Sequence, residues 1–278
     1  MKLGSLEIHL LNDGMFMLDG GTMFGMVPKA LWQRVCPCDA ANRVELRTGV
    51  LLIQDHGKNI LVDAGMGAKL SDKQRRIYDF GESRLLGELT ARGVAPEDVY
   101  MVILTHLHLD HAGGCTRLNS SGRPVPVFPR AEHVVQRQEW DAALRDHPLT
   151  RGSYIADDFM PLEEACLLDK VDGDVRLTDS LSVGLTGGHT VGHQVVFLES
   201  GGEKGVFLGD LIPTAAHLPL PWTMAYDNFP LELVDERKIL LEKALAGRWL
   251  MIWQHDPRIA MGRLKRSAGA ERLEVEPV

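Results

Sequence analysis

Short runs of apolar residues alternate with polar turns along this chain, and the runs are rich in Val, Ile and Leu. Most of them are bounded by Gly, Asp or Asn, which is typical of β-strands. Residues 50–54 and 59–62 flank a tight turn that contains glycine, and they predict a hairpin. Residues 83–92 are predicted to form a helix, and residues 99–105 a fully buried strand.

The second part of the chain continues this alternation of elements. The predicted elements are a strand at 125–128, a helix at 131–145, strands at 181–185, 194–198 and 206–208, a helix at 230–246 and a last strand at 249–253. This order fits two sheets packed face to face with helices outside. Because no repeat or linker divides the chain, we expect a single domain over residues 1–278.

The overall composition is that of a folded protein. The chain has 278 residues, of which 45% are hydrophobic and 24% are charged, so disorder and small disulfide scaffolds are disfavoured. Its formal net charge of -8 provides no positive field to attract nucleic acid or an anionic membrane surface. We therefore expect neither nucleic acid nor a membrane among its partners.

The cysteines and the N-terminal segment bear on the compartment. The four cysteines are interpreted as free thiols of a reducing compartment: Cys36, Cys38, Cys115 and Cys166. The first two lack the two-residue gap and the second pair that a zinc knuckle needs. Since neither a signal peptide nor an apolar stretch of ~18 residues is evident, we predict a cytoplasmic protein.

The most informative segment is the run THLHLDHAGG at residues 105–114, directly after a predicted buried strand. It contains four possible metal ligands within six residues: His106, His108, Asp110 and His111. Alternate residues of an extended segment project to one side, so the first two can reach one ion while the turn directs the others to a neighbouring ion. Imidazole and carboxylate donors suit zinc, manganese, cobalt or iron and do not choose among them. A polar turn with chance histidines is the alternative interpretation.

Three later strand ends carry further donors. They are His189 in the run GGHTVGH, Asp210 in the pair GD and His255 in the run QHDP. Together with the histidine-rich run, these segments resemble the metallo-β-lactamase superfamily, from the DAG at residues 63–65 to His255. The resemblance implies a protein of the α/β (α+β) class, an αββα sandwich with a dinuclear metal site at one edge of the sheets.

The resemblance also implies a role for each donor. A first metal would be held by three histidines: His106, His108 and His189. A second metal would be held by an aspartate and two histidines: Asp110, His111 and His255. Asp210 would bridge the two metals. The expected cofactors are two divalent ions, zinc in the first place, with cobalt, manganese or iron left open.

Other residues near these ligands have structural or supporting roles in this interpretation. Asp63 resembles the family's acid that orients a ligand imidazole by accepting a hydrogen bond from its other N–H. Alternatively, Asp63 caps the turn before Gly65. His193 is expected to be a hydrogen-bonded structural histidine. Three histidines in turn or helix contexts are expected at the surface: His56, His133 and His147.

Two segments are similar to one branch of the superfamily. Residues 19–32 and 209–230 look like the lactonase-like hydrolases, which include quorum-quenching N-acyl homoserine lactonases; organophosphate hydrolases share the ligand set. In the lactonases, an N-terminal loop rich in Met and aromatic residues lines an apolar acyl pocket near a dimer interface. The resemblance therefore implies a homodimer and four pocket candidates: Met23, Phe24, Met26 and Trp32. Packing in the core is the alternative for these side chains.

One position departs from the pattern of that branch. Several lactonases have a tyrosine three residues after the bridging aspartate, where its phenol bonds the substrate carbonyl or the leaving group. This chain has Pro213 there. Three side chains are candidates for a substitute donor: Tyr226, His217 and Tyr154. Each of them can equally be structural, and the departure leaves the metal site untouched.

The resemblance implies a metal-dependent hydrolase that opens lactone rings, N-acyl homoserine lactones above all, by attack of a metal-bridging hydroxide. Asp110 is the candidate catalytic residue, because a ligand near the nucleophile can carry the proton to the leaving group. Phosphotriester hydrolysis and glyoxalase II-like thioester hydrolysis are the alternatives. The first needs an aromatic-lined pocket, and the second a basic glutathione-binding region such as residues 263–266. A non-enzymatic metal-binding protein is disfavoured because no ligand is missing.

Overall fold

The structure is a computed structural model that describes residues 1–267 and 272–278. Its strands are β1 (Lys2–Leu3), β2 (Leu6–Asp19), β3 (Arg43–Asp55), β4 (Lys58–Val62), β5 (Val99–Ile103), β6 (Thr116–Leu118), β7 (Pro124–Pro126), β8 (Glu132–Gln136), β9 (Leu168–Val171), β10 (Val175–Arg176), β11 (Leu181–Leu185), β12 (Gln194–Ser200), β13 (Glu203–Phe207), β14 (Leu250–Ile252), β15 (Met261–Arg266) and β16 (Leu273–Pro277). Its helices are α1 (Gly20–Phe24), α2 (Lys29–Trp32), α3 (Asp72–Tyr78), α4 (Leu85–Thr90), α5 (Leu109–Ala112), α6 (Arg137–Ala143), α7 (Ala156–Glu164) and α8 (Pro230–Gly247).

Most of the strands belong to two large sheets. In the described part of the chain, the first sheet has seven strands in the order β1-β2-β3-β4-β5-β8-β9, and the second has seven in the order β10 to β16. Strands β4, β5, β8 and β9 run parallel to one another, as do β13 and β14. The remaining neighbours within the two sheets pair antiparallel.

The side chains of β3 show how the layers pack. Leu51 and Ile53 join a core that also contains Ile252 of the second sheet, so they face the space between the sheets. Val50 and Leu52 point the other way, because successive side chains of a strand alternate, and they pack with residues of α4, α6 and α7. Helix α8 packs on the outer face of the second sheet. The fold is thus an αββα sandwich, as the resemblance implied.

Several strand ends meet at one edge of the sandwich. The histidine-rich segment follows β5, Asp210 follows β13, and His255 follows β14. The carboxyl ends of neighbouring parallel strands share an edge, which is a common position for functional groups. The loop between β11 and β12, which carries His189, joins this edge because the backbone N–H of Gln194 donates to the carbonyl of Thr105 at 2.9 Å.

Some sequence-based predictions are wrong in detail. Residues 131–145 form strand β8 followed by helix α6, because residues 132–136 pair in parallel with both β5 and β9. His133, predicted at the surface, is therefore fully buried in β8, whereas His56 and His147 are exposed. The strand predicted last, β14, is followed by β15 and β16. The strand predicted at residues 181–185 has the predicted bounds, the other predicted elements are present with shifted bounds, and the 14-residue strand β2 was not predicted.

Within residues 1–267 and 272–278, no helix is both long enough and apolar enough to span a membrane.

Candidate metal centre

The histidine-rich segment changes from extended chain to helix within a few residues. Strand β5 ends at Ile103, His106 and His108 lie in the extended segment that follows, and His108 precedes the first turn of α5. Asp110 and His111 belong to α5 itself. The change of backbone direction aims the two pairs of side chains at neighbouring points, as the alternation of the sequence indicated.

Three histidines form a group of candidate metal ligands, called the first ligand set: His106, His108 and His189. Nδ1 of His108 lies 3.2 Å from Nε2 of His189, and ligand atoms of all three lie within 4.8 Å of one another. The set joins the segment after β5 to the loop between β11 and β12.

A second group of candidate metal ligands, called the second ligand set, consists of Asp110, His111 and His255. The Nε2 atoms of the two histidines are 3.3 Å apart, and Oδ2 of Asp110 lies 3.7 Å from Nε2 of His111 and 3.6 Å from Nε2 of His255. Ligand atoms of these three side chains also lie within 4.8 Å of one another. This set joins α5 to the segment after β14.

Asp210 lies between the two ligand sets, with one oxygen toward each. Its Oδ2 is 3.1 Å from Nε2 of His189 and 4.0 Å from Nε2 of His106. Its Oδ1 is 3.1 Å from Nε2 of His255 and 3.6 Å from Nε2 of His111. The structure therefore brings all of the sequence-predicted ligands together in the pattern expected of a bridging carboxylate.

The chemistry of these donors fits divalent cations. Nε2 of His106 and Oδ1 of Asp210 are buried without a hydrogen-bond partner, which is costly unless another group satisfies them. Burial and the neighbouring imidazoles hold the pKa of His106 and of His108 well below the usual value, so these nitrogens are free lone-pair donors. Burial opposes ionisation of Asp210, yet the imidazoles of His189 and His111 keep its pKa well below the usual range.

Asp63 contacts one of the candidate ligand imidazoles, that of His111. It follows β4 in a left-handed conformation, with φ of 59°, and its Oδ2 lies 2.9 Å from Nδ1 of His111. Its Oδ1 accepts the backbone N–H of Thr105 at 2.7 Å. The turn that begins at Gly65 has a different partner, because Asp13 accepts the N–H groups of the two residues after that glycine.

Two further contacts orient ligand histidines, and sequence reasoning missed both. Oδ1 of Asp227 lies 2.9 Å from Nδ1 of His189, and the backbone carbonyl of Arg47 lies 2.8 Å from Nδ1 of His255. A single acid in a loop gave no specific signal for the first contact, and a backbone carbonyl gives none at all. In each case a hydrogen bond at Nδ1 leaves Nε2 directed toward the ligand set.

His193 and Pro213 make hydrogen bonds to residues of the site without belonging to either ligand set. Nε2 of His193 accepts the backbone N–H of Asp210 at 3.0 Å, and its Nδ1 lies 2.7 Å from Oγ1 of Thr186. It is thus a hydrogen-bonded histidine beside the site, as predicted. The carbonyl of Pro213 accepts the N–H of His255 at 3.1 Å, so this residue holds the segment after β14 by its backbone.

A pocket opens directly above the two ligand sets. Its floor includes His108, Asp110, His189, Asp210 and His255. Its walls are mainly apolar side chains that come from different elements. These side chains are Phe16, Leu18, Met23, Leu46, Met66, Leu109 and Met224. Three hydroxyl-bearing side chains also line it: Tyr78, Ser153 and Tyr226. The arrangement suits a ligand with a polar reactive group and an apolar tail.

The pocket residues predicted from the sequence fall into three groups. Met23 and Tyr226 line the pocket. Phe24 lies behind it in a stack, with its ring centroid 5.1 Å from that of Trp32 and 4.7 Å from that of His217. Met26 is 86% exposed and lies outside the pocket.

All three candidate substitute donors have hydrogen-bond partners, and the hydroxyl of Tyr226 donates to Oγ1 of Thr22 at 3.1 Å. The ring nitrogens of His217 lie 2.7 Å from Oγ1 of Thr214 and 2.8 Å from the carbonyl of Met23. The hydroxyl of Tyr154 donates to Glu139 at 2.9 Å. Tyr226 is the one of the three candidates whose side chain reaches the pocket.

Comparison with known families agrees with this geometry. The sequence profile of the metallo-beta-lactamase superfamily matches residues 45–255, which include the two ligand sets and Asp210. The chain belongs to this superfamily.

Individual proteins show which members of the superfamily this chain resembles. An N-acyl homoserine lactonase of Bacillus thuringiensis is 31% identical over 168 residues, which is 56% of this chain and 60% of that protein. The match thus spans about 60% of the length of this curated relative. A probable metal-dependent hydrolase from Staphylococcus aureus is 32% identical, with a TM-score of 0.89 over 95% of this chain and 94% of that chain. AidC, a dizinc quorum-quenching lactonase, has the same fold, with a TM-score of 0.81 at 24% identity over 100% of this chain and 96% of that chain.

Proposed function

We propose that this protein is a dinuclear metal-dependent hydrolase that opens lactone rings, with N-acyl homoserine lactones as substrates. The observation that carries the proposal is the position of Asp210, whose two oxygens face different ligand sets at the floor of an apolar pocket. The substrate class is supported by the relatives, since the matched curated proteins are named N-acyl homoserine lactonases.

Two divalent ions would be held by the first ligand set, the second ligand set and Asp210. We propose zinc, because these nitrogen and carboxylate donors suit it and because the similarly folded AidC is a dizinc protein. Bound there, the metals would make a water molecule nucleophilic at neutral pH and polarise the carbonyl group of the substrate.

The apolar walls would receive the acyl chain of the substrate. Three methionines, Met23, Met66 and Met224, are among the lining side chains. Methionine is unbranched and flexible, so it adapts to chains of different length. Burial of each methylene group of the acyl chain contributes about 0.8 kcal/mol. The lactone ring would then lie over the floor, next to the ligand residues.

Asp110 is the residue that we propose to move the proton. Its side chain is 18% exposed, against 9% for Asp210, and it lines the pocket. A carboxylate in this position can accept a proton from the attacking water and return it to the leaving oxygen. Asp210 faces both ligand sets with its two oxygens and is less exposed, so it is less accessible to a substrate.

Tyr226 is the substitute that we propose for the phenol missing at Pro213. It lines the pocket, and its hydroxyl lies 3.1 Å from Oγ1 of Thr22. Burial raises the pKa of Tyr226 by more than the hydrogen bond to Thr22 lowers it, and the negative charge of Asp110 raises it further. The phenol therefore stays protonated at neutral pH, and a substrate oxygen in the pocket would replace Thr22 as the acceptor of its hydrogen bond.

The proposal is tested by proton release from the metal-reconstituted protein. The substrates are N-acyl homoserine lactones of increasing chain length, simple γ- and δ-lactones, paraoxon and S-lactoylglutathione, with Asp110→Asn as the inactive control. Proton release reports ring opening, phosphotriester cleavage and thioester cleavage alike. We expect kcat/KM for N-acyl homoserine lactones to exceed the other values by about a hundredfold, which is about 2.7 kcal/mol of transition-state stabilisation. A leading triester or thioester would refute the lactone assignment and leave the hydrolase class standing.

We also propose a cytoplasmic homodimer. All four cysteines are free thiols, which suits a reducing compartment. Met26 and Leu31, in the N-terminal part of the chain, are exposed apolar side chains of the kind that subunit interfaces cover. Light scattering of the purified protein measures its mass directly, and a monomer at micromolar concentration would contradict the proposed assembly.

A further inference from the structure

Glu139 is a buried carboxylate with an unusual set of partners. It lies in the first turn of α6 and is fully closed to solvent. Its two oxygens accept four hydrogen bonds, and each donor is a neutral group, either a backbone N–H or a hydroxyl. Removing a carboxylate from water costs free energy unless hydrogen bonds replace those to water. The four donors around Glu139 supply these hydrogen bonds.

One oxygen of Glu139 is hydrogen bonded to the segment that follows β5. Its Oε1 accepts the backbone N–H of Leu107 at 3.1 Å and the hydroxyl of Tyr154 at 2.9 Å. Leu107 lies between two members of the first ligand set, His106 and His108. The ring of Tyr154 also packs against that of His108, with the centroids 5.0 Å apart. This oxygen thus fixes the segment that carries two of the three histidines.

The other oxygen is hydrogen bonded to the loop between β11 and β12. Oε2 of Glu139 accepts the hydroxyl of Thr190 at 2.6 Å and the backbone N–H of Gly192 at 3.2 Å. Thr190 directly follows His189, which is the third histidine of the first ligand set. Each oxygen of one rigid carboxylate therefore holds one of the two segments that build this set.

The packing around Gly192 shows that the loop is fitted to α6. A Cβ atom added to Gly192 would lie 2.3 Å from the backbone nitrogen of Glu139 and 2.4 Å from its Cβ. Real Cβ atoms essentially never approach other atoms so closely, so the loop can take this position only with glycine there. The backbone N–H of Gly192 reaches the carboxylate because of this close approach.

We propose that Glu139 is a positioning residue that sets the separation of the two segments carrying the first ligand set. The physical reason is that the two oxygens of a carboxylate are held at a fixed distance, and each is bonded to a different segment. The inference rests on the metal site of the proposed function and is independent of its lactone substrate. It assigns no contact with substrate to Glu139.

The test is metal binding by Glu139→Gln in the absence of substrate. Hydroxyl groups can rotate, but the N–H groups of Leu107 and Gly192 cannot, and an amide nitrogen accepts from neither. Whichever way the amide points, one segment loses its acceptor. We expect one of the two zinc equivalents to bind about 10- to 100-fold more weakly in competition with a chromophoric chelator, and the other to bind as in the wild type.

Asp141→Asn is the matched control, because Asp141 lies exposed on the same helix and loses the same charge. We expect this variant to bind both zinc equivalents as the wild type does. Two wild-type affinities in a folded Glu139→Gln variant would overturn the inference. Equal weakening of both equivalents together with a lowered melting temperature of the metal-free protein would also overturn it, since that is the signature of general destabilisation.

A second pair of variants covers the case in which Glu139→Gln does not fold. Tyr154→Phe and Thr190→Val each remove one hydroxyl donor, on opposite oxygens of the carboxylate. If the carboxylate couples the two segments, their effects on the weaker zinc equivalent are non-additive in the double variant. Additive effects would contradict the inference. A wild-type protein that binds fewer than two equivalents would refute the dinuclear site itself, and with it both proposals.

Discussion

Asp227 and His189 form a buried pair across the loops of the metal centre, with Oδ1 of Asp227 2.9 Å from Nδ1 of His189. The second oxygen of Asp227 accepts the backbone N–H of Met224 at 2.7 Å. The carboxylate thereby fixes the ring nitrogen that carries the proton, and Nε2 of His189 is left as a lone-pair donor toward the first ligand set.

We expect Asp227→Asn to weaken zinc binding at the first ligand set by about 10- to 100-fold. The amide can accept from His189 or from the N–H of Met224, but its nitrogen can satisfy neither. Competition with a chromophoric chelator measures the effect, with the exposed Asp235→Asn as control. Wild-type zinc affinity in Asp227→Asn would show that the orientation of His189 does not depend on this acid.

Asp110→Asn is expected to lower kcat by about 10²- to 10⁴-fold, the range typical of a lost general acid or base. Loss of bound metal should be modest, because His111 and His255 remain in the second ligand set. Metal content by elemental analysis and kcat must be measured on the same sample. An unchanged rate with two metals bound would remove Asp110 from the reaction.

Tyr226→Phe is expected to raise KM or lower kcat so that kcat/KM falls by about tenfold, which corresponds to about 1.4 kcal/mol, within the range of one hydrogen bond. The aromatic wall of the pocket is retained in this variant. Tyr100→Phe is the comparison, because Tyr100 is exposed and does not line the pocket. If kcat/KM of Tyr226→Phe equals that of the wild type, another group takes the place of the missing phenol.

His133 should make the metal-free protein less stable at acid pH. Burial lowers its pKa from the ordinary 6.5 to about 4, so the unfolded chain binds a proton at a higher pH than the folded protein does. Its contribution to stability is therefore complete above pH 6.5 and is lost as the pH falls toward 4, by on the order of 3 kcal/mol.

The variant that isolates this effect is His133→Asn, whose amide can still donate to the carbonyl of Ala131, which lies 3.0 Å from Nδ1 of His133. Its free energy of unfolding by urea should decline less between pH 6.5 and pH 4 than that of the wild type. Parallel pH profiles for the two proteins would mean that His133 is accessible to protons in the folded state.

Removal of metal should destabilise the protein and its return should restore stability. Without cations, Nε2 of His106 and Oδ1 of Asp210 are buried without partners. Free zinc at a thousand times its dissociation constant adds about 4 kcal/mol to the free energy of unfolding. Melting curves with a chelator and after addition of zinc measure the change, and His189→Ala should show a smaller one. Identical curves with and without the chelator would argue against a resident metal.

The candidate metal ligands could be predicted from the sequence because their signal is local. Three histidines and an aspartate follow a buried strand within six residues, and His189, Asp210 and His255 each follow a glycine or glutamine at another strand end. Residue type and position at a strand end are both visible without any contact information. The expected layers were equally accessible, since short apolar runs separated by turns are a property of the chain itself.

Strand β8 could not be assigned from the sequence alone. The run EHVVQ is apolar over its centre, and without neighbours a buried strand and a buried helix segment have the same pattern. Only pairing with β5 on one side and β9 on the other decides for the strand. The burial of His133 follows from that pairing and could not be inferred before it.

The sequence by itself thus determined the class of fold and the donors of the metal centre, because both depend on residue type and short-range order. The tertiary structure alone decided which side chains surround those donors. Asp227 and Glu139 became visible only where loops far apart in the chain meet, and Phe24 was separated from the pocket by its stacking on Trp32. These contacts depend on packing between distant segments, which periodicity in a single sequence does not encode.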